Sequence, residues 1–219
     1  METHYTFHIE LENLNKKILH LSTMVEERVR KAAEVIHTHD MEVINSIILL
    51  DYEVDEMEVE IEEDCLKILA LHQPVAKDLR FLIAVIKINN EMERIADIAA
   101  SIALRAQNIS KFKHNTAENY DFSEMCNRVL LMLKKSIDSL VNRDAATAKT
   151  IFFEDDAVDL LRNRCYEDIK GRILADPKHP GYHINTYLLA RHLERIADRA
   201  VNIAEEVIYF VEGTITRFA

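Results

Sequence analysis

The chain has 219 residues, 48% of them hydrophobic, enough to bury a sizeable core in one domain or two small ones. Its 27 Lys and Arg stand against 38 Asp and Glu, a formal net charge of −11, and no Lys/Arg-rich run offsets that balance. A body this acidic repels a phosphate backbone, which argues against nucleic acid as a partner.

Only three Gly and three Pro occur, so a β-sandwich would lack turn chemistry and long helices are expected. The N-terminal stretch Met-Glu-Thr-His-Tyr-Thr-Phe-His-Ile-Glu lacks the basic start and apolar run of a signal peptide. Cys65, Cys126 and Cys165 form no CxxC pair, and an odd set of scattered thiols suits a reducing compartment. A cytoplasmic location is therefore expected. The most apolar runs, Ile47 to Leu50 and Phe81 to Ile86, fall far short of the roughly 18 residues a spanning helix needs.

In chain order, apolar residues recur at helical spacing from Phe7 to about Ile36, through Leu14, Ile18, Leu21, Val25 and Val29. Asp40 is a good N-cap for a second helix running from Met41 to about Leu71. Gln73-Pro74 ends it, and Pro74 suits the first position of a third helix that continues to about Ile109. Ser110 to Tyr120 is polar and aperiodic and reads as a linker. A fourth helix is expected from near Asp121, where Asp121 and Glu124 have capping-box spacing, to near Asn142. The fifth runs from about Asp144 to Ala175, the segment from Asp176 to Gly181 breaks it, and the sixth covers about Tyr182 to Glu212.

The halves repeat. Glu93-Arg94-Ile95-Ala96-Asp97 recurs as Glu194-Arg195-Ile196-Ala197-Asp198, 101 positions on, and Ile102-Ala103 recurs as Ile203-Ala204 at the same offset. On the middle helices Asp51 and Asp55 match Asp155 and Asp159, 104 positions on. The expectation is an all-α fold of two tandem three-helix bundles, six long antiparallel helices in all, related by internal duplication. The boundaries drawn are residues 1–109 and 121–219, with 110–120 between them.

Carboxylates accumulate where the repeat is strongest. Glu93 and Asp97 are four apart and share a helix face, as do Glu194 and Asp198. Like charges at that spacing cost a helix a few tenths of a kcal/mol. On the second helix Asp51, Asp55, Glu58 and Glu62 fall within about 60° of one another. The second copy keeps Asp155 and Asp159 but puts Arg162 and Tyr166 at the later positions. Two readings stay open. In one these are solvated faces, with Arg94 and Arg195 neutralising Asp97 and Asp198. In the other, stripes from middle and third helices line shared surfaces that collect a hard cation such as Mg²⁺, Mn²⁺, Ca²⁺ or iron.

Other constellations are poor. Only one Glu-x-x-His pair, Glu34 to His37, occurs where a di-iron bundle needs two. None of the ten histidines lies in a HExxH pattern, and His192, beside the second signature, is left out of the ligand set. Three isolated glycines cannot form a phosphate loop, no G-x-S-x-G elbow exists, and enzyme activity is not expected.

Gln73-Pro74-Val75-Ala76-Lys77-Asp78-Leu79-Arg80, then Ile86 through Asp97, and Leu193 through Asp198 followed by Asn202-Ile203-Ala204-Glu205, together resemble the PhoU family over essentially the whole chain. The opening Phe7 with Glu10-Leu11, and Val54-Asp55 to Glu62, fit the same pattern. The resemblance implies a cytoplasmic, often dimeric regulator that links a Pst-type phosphate ABC transporter to a membrane sensor histidine kinase. Such a protein represses the phosphate-starvation response when phosphate is plentiful. The resemblance further implies metal at E/DxxxD motifs, iron, Mn, Mg, Ca or Zn. By position these carry to Glu93, Asp97, Glu194 and Asp198, and on the middle helices to Asp51, Asp55, Asp155 and Asp159. Many relatives have Gly where Ala96 and Ala197 stand, and Arg199 replaces a common Asp or His, adding positive charge near the second motif. Two rival expectations stand beside the regulator: a metal-storage or di-metal carboxylate bundle, and a scaffolding or chaperone-like bundle.

Overall fold

The computed structural model describes residues 2–49, 51–112, 120–175 and 177–217, with side chains from residue 6 and without that of Asp51. Its first half comprises α1 (Glu2–Thr38), α2 (Met41–Leu49), α3 (Asp51–His72) and α4 (Ala76–Ser110). Its second half comprises α5 (Ser123–Asn142), α6 (Ala145–Ala175) and α7 (Pro180–Glu212). The predicted second helix corresponds to α2 and α3, on either side of Leu50, which lies outside the described residues. So do residues 113–119 of the predicted linker and Asp176 of the predicted break. Two tandem three-helix units are thus present, and among the described residues no helix is long and apolar enough to cross a membrane.

Helix ends follow local chemistry, with two corrections. Asp40 caps α2, its Oδ1 accepting from the amides of Glu42 (2.8 Å) and Val43 (3.3 Å). Asp144 does the same for α6 through Ala146 (2.9 Å) and Thr147 (3.1 Å). Pro74, however, is not at a first helical position. Gln73 (φ 46°) leaves α3 in the left-handed region, Val75 is the extended N-cap of α4, and Ala76 is left-handed too (φ 48°). The N1 role belongs instead to Pro180 of α7. The capping box forms by half: Asp121 accepts from the Ser123 amide at 2.9 Å, while Glu124 turns to Arg128 at 3.0 Å.

The two halves join along α4 and α7, the most extensive helix pair in the molecule. Phe81 meets Phe210 (ring centroids 5.3 Å apart), Lys87 meets Glu206 (3.0 Å), Glu91 meets Arg199 (3.2 Å) and Arg105 meets Asn185 (3.4 Å). Residue numbers rise on one helix as they fall on the other, so the pair is antiparallel. That register puts Ile95 of one signature and Ile196 of the other near the centre of the seam, both 0% exposed. Ala96, Ala99, Ala197 and Ala200 on the same two helices are also buried. α1 and α5 flank this pair and touch each other. The middle helices lie outermost: α3 packs on α1, α2 and α4, and α6 on α5 and α7.

Candidate functional site

The first acidic cluster lies between α3 and α4. Asn89, fully buried, donates from Nδ2 to the Glu58 carbonyl at 2.8 Å and so fixes the two helices side by side. Along that contact Asp55 and Glu58 of α3 come within electrostatic range of Glu93 of α4, with Asp97 one turn beyond Glu93 and Glu62 one turn beyond Glu58. Burial, then the charges of Asp97, Asp55 and Glu58, hold the Glu93 carboxyl above its ordinary range. Glu58 is raised by burial and by Glu62 and Asp55. Asp51, expected to extend the stripe, belongs to α3, but its side chain is outside the described residues. The neutralising pair expected within the signature is not made: Arg94 donates to Asn90 Oδ1 at 3.0 Å. Among the described residues, none of the five carboxylates of this cluster has an ion-pair partner.

The second cluster, between α6 and α7, is more enclosed. Asp155, Asp159, Glu194 and Asp198 all come within electrostatic range of one another. Burial, then Asp198, Asp159, Asp156 and Glu194, push the Asp155 carboxyl up to about 6. Glu194, only 5% exposed, and Asp198 are also raised, burial being the largest cause for each. Unlike the first cluster, this one holds its own cations. Glu194 Oε1 accepts from Arg191 at 2.5 Å and lies 3.5 Å from Arg162, which also reaches Asp159 at 3.3 Å. Glu194 Oε2 is buried and, among the described residues, accepts no hydrogen bond. Arg199 reaches across to Glu91 at 3.2 Å and, as expected, still brings positive charge to this cluster, its guanidinium pulling Asp198 down against burial. His192, two residues before Glu194 in sequence, has arginines around it: burial and then Arg105, Arg195 and Arg191 push its ring down to about 4, so it is a neutral imidazole at physiological pH.

Both middle–third helix pairs therefore bring their carboxylates onto a shared surface rather than onto opposite faces. The donors are hard oxygens, suited to Mg²⁺, Mn²⁺, Ca²⁺ or iron, and the orphaned Glu194 Oε2 is an acceptor such an ion would satisfy. They are not drawn into a finished coordination sphere. Among the described residues no three His, Cys, Asp or Glu side chains converge closely enough to hold one ion. Neighbouring carboxylates press on these groups, and water still reaches Asp55, Glu62 and Asp97.

Sequence reasoning missed the polar groups of the seam between the halves. Glu205 and Glu206, both buried, are met by Arg217 (2.7 and 3.8 Å) from the segment after Gly213, and Glu206 by Lys87. An adjacent acidic pair on a helix otherwise rich in buried residues was the available signal.

Fold and site define a class: a duplicated bundle of long helices with a carboxylate surface in each repeat, the repeats joined through their third helices. The chain belongs to the PhoU family. The PhoU domain matches it twice, at residues 18–106 and 122–207. The phosphate-specific transport system accessory protein PhoU of Serratia marcescens is 34% identical over 96% of this chain and 86% of that protein. Its homologue from Clostridium acetobutylicum is 31% identical over 96% of both chains. The crystal structure of PhoU from Pseudomonas aeruginosa superposes with a TM-score of 0.91 at 31% identity, covering 95% of this chain and all of that one. That of the phosphate transport system regulatory protein PhoU from Streptococcus pneumoniae gives 0.88 at 27% identity, covering 97% and all.

Proposed function

We propose that this protein is a non-enzymatic regulator of phosphate uptake and signalling in the cytoplasm. In this reading it couples the ATPase of a phosphate ABC transporter to a phosphate-sensing histidine kinase and represses the starvation response while phosphate is abundant. The observation that carries the reading is the match of both repeats, over nearly the full chain, to accessory proteins of phosphate-specific transport. Relatives named as accessory and regulatory proteins favour it over a metal-storage or di-metal enzyme.

Cation binding belongs to the same proposal. The α3–α4 surface, with Asp55, Glu93 and Asp97 unpaired, is the stronger site, and the α6–α7 surface is the weaker because Arg162 and Arg191 already offset its charge. The domain boundaries at 1–109 and 121–219, and a homodimeric state, are part of the working picture. The decisive test is genetic. Deleting the gene should raise phosphate-responsive reporter expression at high phosphate, and a reporter that stays normal at both high and low phosphate overturns the reading. Elemental analysis of purified protein tests the metal part separately: Glu93→Ala with Asp97→Ala should remove more bound metal than Glu194→Ala with Asp198→Ala.

A further inference from the structure

The outer face of α3 carries an apolar line that neither the bundle nor the carboxylate surface uses, although one of the acidic rows beside it, Asp55 and Glu62, is shared with that surface. Tyr52, Val59 and Leu66 are seven residues apart, and they are 55%, 51% and 54% exposed on the side away from the buried Val54, Ile61 and Cys65. Heptad spacing lines them up as a straight apolar seam along the helix. Acidic rows with the same spacing border it, Asp55 and Glu62 on one side and Glu56 and Glu63 on the other, all four exposed. The fold does not require the seam. At the offset of 104 that aligns the middle helices, α6 has Asp156, Asn163 and Lys170 at these positions, all exposed and polar.

We propose that this face docks a basic amphipathic helix of a partner protein, one with aliphatic residues at heptad spacing and Lys or Arg on both flanks. An apolar line between two charged rows is the arrangement by which helices choose partners, the line giving area and the flanks giving sign. The sign excludes nucleic acid and anionic lipid surfaces, which the two acidic rows repel. It also opposes the α3 of a second copy, whose flanks are equally acidic. A second copy's α6 is the remaining rival, since Phe153 and Leu160 are exposed there beside Arg164, but Asp156 and Glu167 make that face mixed in charge. The inference deepens the regulatory reading by assigning a docking face, and it rests on that reading only for the existence of a protein partner.

The test uses the full chain and two synthetic four-heptad helices, each with Leu along one line, one flanked by Lys and the other by Glu, read by fluorescence anisotropy. The wild-type chain should bind the Lys-flanked helix more tightly, and less so as salt rises. Tyr52→Gln with Val59→Gln and Leu66→Gln should weaken that binding by about tenfold or more, which is roughly 1.4 kcal/mol. Glu56→Lys with Glu63→Lys should reduce or reverse the preference between the two helices. Each substituted position is exposed, and circular dichroism checks that the fold persists. Equal affinity for both helices, no binding, or binding untouched by either variant overturns the proposal. So does sedimentation that shows a wild-type dimer made monomeric by the three Gln substitutions, because a second copy then owns the face. Neither probe involves phosphate or gene expression, so failure here leaves the regulatory reading standing, and failure of that reading leaves a measured affinity.

Discussion

Asp155→Asn should make this protein more stable at neutral pH, although it deletes a charged side chain from a motif position. Burial first, and then the charges of Asp198, Asp159, Asp156 and Glu194, raise Asp155 from 3.8 to about 6. Between those two values the folded chain holds a proton that the unfolded chain has released. Folding therefore takes up a proton, and this group's contribution falls as pH rises through that window, with the full penalty in place above about pH 6. A shift of about 2 units at 1.36 kcal/mol each is roughly 3 kcal/mol, and solvent screening of a half-buried group reduces it to about 1–2 kcal/mol. Denaturant titrations from about pH 4 to about pH 7.5, with chelator present, measure the difference. The variant should exceed wild type by that amount at the upper end and match it at the lower end. A variant destabilised at neutral pH, or a difference that does not change with pH, would refute the electrostatic account of the second cluster.

The seam between the repeats offers a second test. Lys87→Met keeps the aliphatic stem but leaves Glu206, whose side chain is 9% exposed, with only the more distant Arg217, and should cost about 1 kcal/mol in chemical denaturation. Ala197→Leu, at a fully buried position of α7, should cost about 1–3 kcal/mol by overpacking and lower the melting temperature accordingly. The thiols of Cys65, Cys126 and Cys165 are buried and pushed up to about 12 by desolvation, so a thiolate-selective disulfide reagent should label none in the native protein and all three after unfolding.

Much of the fold was legible because its signals are local. Scarcity of Gly and Pro, apolar periodicity and the repeated Glu-Arg-Ile-Ala-Asp segment specify long helices and their duplication without reference to tertiary contacts. Helix ends were readable where a side chain caps its own backbone, as at Asp40 and Asp144. They were misread at Pro74, where left-handed Gln73 and Ala76, with extended Val75 between, absorb the turn. The grouping of Asp155 and Asp159 with Glu194 and Asp198 followed from matching offsets. The roles of the arginines did not, since one sequence spacing allows Arg94 to reach Asp97 or Asn90, and Arg199 to reach Asp198 or Glu91. Which of these forms depends on the neighbouring helix, as does the pairing of Lys87 with Glu206 across more than a hundred residues.

Because α4 and α7 form the most extensive helix pair, a repeat prepared alone would meet water along the stripe its sister normally covers. An isolated half is then expected to self-associate into a pseudo-copy of the whole, the ancestral arrangement that gene duplication later tied into one polypeptide. Fusion of two such units onto a single chain also frees each to diverge. One outer helix can thereby acquire an arginine-damped acidic surface while the other keeps a bare one, an asymmetry that two identical subunits could never display.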